Sequence, residues 1–173
     1  MATIPKVLLV NAPAQGIFLR DLYCVSSSKA DYVWQPIDLV VLSGALSKSF
    51  HVTIRDCVGS GLSSGKLIHS LSAHQRFDFV IALVCSITLK SDVAALREVK
   101  CAYPEARILI IGDFVREHGI KFLQQFDVAD ACIMDFTTDN LCEVLLEWPA
   151  ITSPRENFII RRGEELFVGP LVR

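Results

Sequence analysis

Short apolar, mostly β-branched runs alternate along this chain with segments whose apolar positions recur at helical spacing. The runs predict strands over residues 6–10, 51–56, 78–84, 107–112 and 131–134. Helices are predicted over residues 37–49, 62–76, 91–102, 114–125 and 138–147. Val80-Ile-Ala-Leu-Val84 and Ile108-Leu-Ile-Ile111 are continuous rather than alternating, the pattern of strands buried on both faces. Leu39, Leu42 and Leu46 share one stripe of the first helix, as packing on a sheet requires. Five strand–helix units joined by right-handed crossovers give an α/β fold. The expectation is a doubly wound, five-stranded parallel sheet of order 2-1-3-4-5, flavodoxin-like or Rossmann-like. Such a sheet binds ligands in the crevice at the carboxyl ends of its strands.

After about Pro149 the pattern changes. Residues 149–154 read as a linker, and residues 158–168 as a C-terminal β-hairpin turning at Arg162-Gly163-Glu164. An isolated hairpin is marginal in water, so it is expected to pack on the domain or on something that follows. The expected division is an α/β domain over residues 1–148 and a linker with hairpin over residues 149–173.

The connection after the first strand is the most unusual segment. Residues 11–36 separate the first strand from the first helix, where about 2–6 residues are common and more than about 12–15 points to function or disorder. It carries Arg20, Tyr23, Lys29, Tyr32 and Trp34, a set able to clamp a large ligand by cationic and aromatic contacts. The alternative is a cover for one end of the sheet, anchored by Tyr32 and Trp34. The second loop, Asp56-Cys-Val-Gly-Ser-Gly-Leu-Ser-Ser-Gly65, offers close backbone approach at its glycines, or simply a turn with Ser63 or Ser64 capping a helix. It is neither a Walker A loop nor GxGxxG. The third loop places Ser86 and Thr88 at the end of a central strand, with Ser91 as a candidate cap. The fourth begins Gly112-Asp113, where glycine either admits a ligand to backbone or merely ends the strand.

Charge narrows the partners. A formal net charge of -2 with no basic cluster argues against nucleic acid. No apolar run reaches the roughly 18–20 residues of a membrane span, and the first residues lack a signal-peptide pattern, so a cytoplasmic location is expected. Six cysteines, at 24, 57, 85, 101, 132 and 142, form neither CxxC nor CxxxCxxC. Cys85 and Cys132 read as small core residues. His51, His69, His74 and His118 show no metal-pair spacing, and no Ser–His–Asp set or carboxylate pair stands out.

Lys6-Val-Leu-Leu-Val-Asn-Ala-Pro13, the loop with Arg20-Asp-Leu-Tyr-Cys24, and Pro36-Ile-Asp-Leu39 before a leucine-rich helix resemble a known opening. The chain looks like the N-terminal cobalamin-binding domain of B12-dependent radical SAM enzymes, over roughly residues 6–147. The resemblance implies cobalamin as cofactor and partner. The implied cofactor-binding residues are Asn11, Arg20, Tyr23, Asp56, Cys57, Gly59, Ser86, Thr88, Gly112 and Asp113. A radical SAM core, in cis or in trans, would carry the iron–sulfur cluster and S-adenosylmethionine in a domain missing from this chain, toward which the hairpin leads. Cobalamin domains of the mutase and methionine synthase type carry DxHxxG, whose histidine ligates cobalt. Here valine stands in its place within Asp56-Cys-Val-Gly59, which implies binding without a protein histidine on cobalt. The domain alone would not be catalytic; the parent enzyme would perform methyl transfer or a related radical step. Bulky residues at Ser86 or Gly112 are expected to abolish cobalamin retention while sparing the fold. Competing readings are a flavodoxin-like nucleotide- or flavin-binding module and a cofactor-free interaction domain. A receiver-like domain lacks its aspartate at the end of the third strand, which reads Val84-Cys85-Ser86.

Overall fold

The structure is a computed structural model that describes residues 3–14, 16–20, 25–27, 34–62, 65–71 and 75–172. Its centre is a parallel sheet built from β1 (Lys6–Asn11), β4 (His51–Asp56), β5 (Phe79–Leu83), β6 (Arg107–Ile111) and β7 (Ala131–Ile133). The hairpin strands β8 (Phe158–Arg162) and β9 (Glu165–Val168) continue that sheet. The full order is β4-β1-β5-β6-β7-β8-β9, seven strands rather than the five expected. The difference has a plain cause. Strand β8 pairs antiparallel with β7, setting Cys132 opposite Ile159, and so satisfies an edge that five strands would leave open.

Alternating side chains of the central strands feed two separate cores. Leu8, Val10, Val80, Ala82, Ile108 and Ile110 face one core. There they meet Leu67 of α2 (Lys66–His69), Leu96 of α3 (Leu89–Ala102) and Phe122 of α4 (Asp113–Gln125). Val7, Leu9, Ile81, Leu83, Leu109 and Ile111 face the other. They meet Leu39, Leu42 and Leu46 of α1 (Ile37–Leu46) and Leu141, Val144 and Leu145 of α5 (Leu141–Leu146). This two-sided burial explains the continuous apolar runs and defines a mixed α/β, Rossmann-like architecture.

Two expected elements come out differently. Within the described residues, the helix predicted over 62–76 is a single turn, Lys66–His69, after Gly65 at φ +80°. The proposed caps Ser63 and Ser64, and His74, lie outside the described residues. The long connection is not structureless: Phe18–Arg20 (β2) pairs antiparallel with Val25–Ser27 (β3) as a small ribbon. Cys24, Tyr23, Lys29 and Tyr32 lie outside the described residues.

Gly112 joins β6 to α4 at φ +139°, and a Cβ there would lie 2.3 Å from the Val84 carbonyl oxygen. Only glycine permits this approach of the two central strands. Contrary to the expectation from sequence, Gly112 therefore cannot be enlarged without disturbing the fold. Gly112→Ala should lower the unfolding free energy by about 3 kcal/mol. Gly44→Ala, with open space around its Cβ inside α1, should raise it by roughly 0.5–1 kcal/mol. Urea denaturation of both variants checks the contrast.

Candidate functional site

At the carboxyl edge of the sheet the loops after β1, β4, β5 and β6 converge, as parallel pairing of those strands requires. A polar chain, buried from Asn11 to Thr88, crosses beneath them. The Asp56 carboxylate at the end of β4 accepts the Gly59 amide (3.0 Å) and the Asn11 side-chain amide (2.8 Å). The Asn11 carbonyl oxygen accepts from the Arg20 guanidinium at 2.9 Å, and the same nitrogen donates to the Ala12 carbonyl at 2.7 Å. The other terminal nitrogen of Arg20 lies 3.0 Å from Asp92 on α3, with both side chains fully buried. Asp92 then accepts the Cys85 amide (3.0 Å) and the Thr88 hydroxyl (2.7 Å).

That chain explains several local features. A buried guanidinium needs its charge matched. Asp92 supplies the opposite charge and Asn11 and Ala12 accept from one terminal nitrogen, while Nε meets no acceptor among the described residues. The result ties the β2 ribbon to β1 and to the first turns of α3. Thr88 closes a 3-10 turn, Ser86–Thr88, that links β5 to α3. Asp92 bonds back across this turn and fixes it. Burial pushes the Asp92 carboxyl up, while Arg20 and the hydrogen bonds from Thr88 and Cys85 pull it down.

A second pair lies nearer solvent. Ser86 is exposed, and its hydroxyl (2.7 Å) and amide (3.2 Å) both donate to the Asp113 carboxylate at the start of α4. Next to it Ile87, in the 3-10 turn, is 52 % exposed. Open clefts of about 450 Å³ lie on either side of Ile87. One runs between the ribbon and α3, along Ala14, Phe18, Thr88, Lys90 and Ser91. The other passes Ser86, Leu89, Val93, Arg97 and Phe126.

Of the residues expected from sequence, Asn11, Arg20 and Thr88 belong to the buried part of the chain, half-buried Asp56 and exposed Gly59 to its outer end, and Ser86 and Asp113 form a separate outer pair. Arg20 is a correction: 4 % exposed, it holds the ribbon rather than reaching for a ligand. Ser91 is another, since its hydroxyl donates to the Thr88 carbonyl and caps nothing. Cys57 is fully buried, and Gly112 is accounted for by Val84. Trp34, offered as a packing anchor, is 60 % exposed. Tyr23 lies outside the described residues. Sequence reasoning missed Asp92, the carboxylate that pairs with Arg20 of the ribbon from α3. Its signal was an acid four residues after Thr88, inside the first turns of a helix that follows a central strand.

Among the described residues, no cluster of three His, Cys, Asp or Glu could hold a metal ion, and no helix is long and apolar enough to cross a membrane. Neither a family model nor a curated protein matches the chain. Solved structures do. One is TsrM from Kitasatospora setae, a radical S-adenosylmethionine methyltransferase, with tryptophan substrate and a SAM analogue bound. It superposes with a TM-score of 0.70 at 16 % identity over 95 % of this chain and 30 % of that one. The same enzyme with cobalamin and a [4Fe-4S] cluster bound gives 0.68 at 14 % identity over 96 % and 31 %. The chain thus shares its fold with under a third of that enzyme's length.

The thiols at the crevice are held protonated. Burial pushes Cys57 up to about 11 and raises Cys85 further, with Asp56 and Asp92 adding to the respective shifts. Iodoacetamide at pH 8 should label exposed Cys101 at least about tenfold faster than Cys57 or Cys85. Peptide mass spectrometry over a time course reads the three rates.

Proposed function

We propose that this chain is a cobalamin-binding domain of the B12-dependent radical SAM type, binding its cofactor without a protein histidine on cobalt. The observation that carries the reading is the carboxyl edge itself. Three loops of small and hydroxylic residues converge there around exposed Ser86 and Ile87, above a buried polar chain that fixes their positions. The fold shared with TsrM, whose structure holds cobalamin, supports the same assignment.

The residues present fit such a cofactor. A corrin is broad and largely apolar at its faces, and a strand end that exposes isoleucine between two open clefts offers it a matching surface. Polar groups at its rim would meet Ser86, Lys90 and the amides of the Asp56–Gly61 turn. Val58 occupies the place of the cobalt-ligating histidine in DxHxxG, and His51, His69 and His118 lie on β4, α2 and α4 rather than on that loop. Bound cobalamin would supply a cobalt centre able to carry and transfer a methyl group.

This chain's own part is to bind and orient. Asp56 and Asn11 hold the β4 loop to β1, Arg20 and Asp92 hold the ribbon to α3, and Asp113 holds Ser86. The cluster and S-adenosylmethionine would belong to a radical SAM core supplied in cis or in trans. Residues 1–148 would form the binding domain, and residues 149–173, whose strands β8 and β9 extend its sheet, would lead toward that core.

Hydroxocobalamin should remain with the protein through desalting and show the spectrum of cobalamin lacking a histidine ligand. Ser86→Trp, at an exposed position, should abolish retention while the far-ultraviolet circular dichroism stays unchanged. Absence of retention by the wild-type chain, with or without an added core domain, would contradict the reading. So would equal retention by Ser86→Trp.

A further inference from the structure

A cleft of about 510 Å³ lies at the opposite, amino edge of the sheet, far from the Ser86 crevice. Its apolar wall is aromatic and aliphatic. Phe79 and Trp148 meet edge to face at 6.0 Å, and Leu146 beside them is 54 % exposed. Its polar wall carries two guanidinium groups, from Arg107 at the start of β6 and Arg162 at the end of β8.

The charges there are incompletely matched. Arg162 stacks 5.3 Å from the Trp148 ring centroid and donates to the Trp148 carbonyl. Its Nε is buried and meets no acceptor among the described residues. Burial, and then the nearby positive charge of Arg107, push the Arg162 guanidinium below the usual arginine range. Arg107 is half exposed and lies 3.3 Å from Asp130. That carboxylate also accepts the Ile108 amide at 2.8 Å and lies 3.7 Å from Lys100. One carboxylate therefore serves two cations and an amide. Asp78, the acid in the cleft lining, already accepts the Lys6 amide at 2.7 Å.

We propose that this cleft is a binding site for a small organic anion, a carboxylate attached to a flat or branched apolar body. Two neighbouring guanidiniums that repel each other gain from an anion placed between them, and Arg presents paired donors suited to a carboxylate. The apolar body would cover exposed Leu146 and Pro149, above the buried Phe79–Trp148 pair. This site is independent of the cobalamin reading, since it shares no residue with the carboxyl edge.

Trp34 and Trp148 are the two tryptophans of the chain, so Trp34→Phe leaves an emission that reports on the cleft. In that background, titration with 3-phenylpropionate should give a saturable change in emission with a Kd below about 1 mM. The neutral 3-phenylpropionamide should bind at least about tenfold more weakly, as should 3-phenylpropionate to Arg107→Gln. Arg107 is half exposed, so that variant is expected to fold, and an unchanged thermal transition would confirm it. No saturable change, equal binding of the amide, or undiminished binding by folded Arg107→Gln would overturn the proposal.

Discussion

The buried ion pair between Arg20 and Asp92 is the constraint on which the carboxyl edge depends. Arg20 belongs to a short ribbon inside the connection after β1, and Asp92 to the first turns of α3. Neither could be buried alone, because an unmatched interior charge costs several kcal/mol. Together, with Asn11, Ala12, Thr88 and the Cys85 amide as further partners, they fix three chain segments relative to one another. A connection that could have been a loose cover becomes one wall of a cleft.

The rest of the edge follows from that placement. With the turn at Ser86–Thr88 held from below, Ser86 is free to face solvent and to pair with Asp113. The close approach of Gly112 to Val84 keeps β5 and β6 in step where their loops diverge. Asp56 draws its own turn closed through Gly59 and leans on Asn11. The loops are thus positioned by polar contacts, buried around Arg20 and Asp92 and exposed at Ser86 and Gly59. That division suits the cofactor-holding role proposed for this chain.

The sheet was legible in the sequence because its strands are buried on both faces. Val80–Val84 and Ile108–Ile111 leave no polar alternation to confuse with a surface element. The stripe of Leu39, Leu42 and Leu46 was legible for the same reason. Strands β8 and β9 were read as a hairpin, but the pairing of β8 with β7 is a tertiary event that local pattern does not encode. Residues 62–76 carried helical spacing without forming a long helix in the described part, where the helix starts only after Gly65 at positive φ and ends at His69. At the carboxyl edge, residue types drew attention to these loops but did not show which side chains are buried in them. Arg20 looked like a ligand-facing cation because sequence shows a charge and not the buried partner 72 positions away. Asp92 was invisible for the complementary reason, an acid on a helix that ordinarily faces water.

The most direct measurement is a double-mutant cycle on unfolding free energy with Arg20→Met, Asp92→Leu and the pair combined. The account predicts single losses of about 3–5 kcal/mol and a double variant less destabilised than their sum by at least about 2 kcal/mol. Effects that add to within about 0.5 kcal/mol would mean the two charges are not coupled. The carboxyl edge would then owe its arrangement to something else.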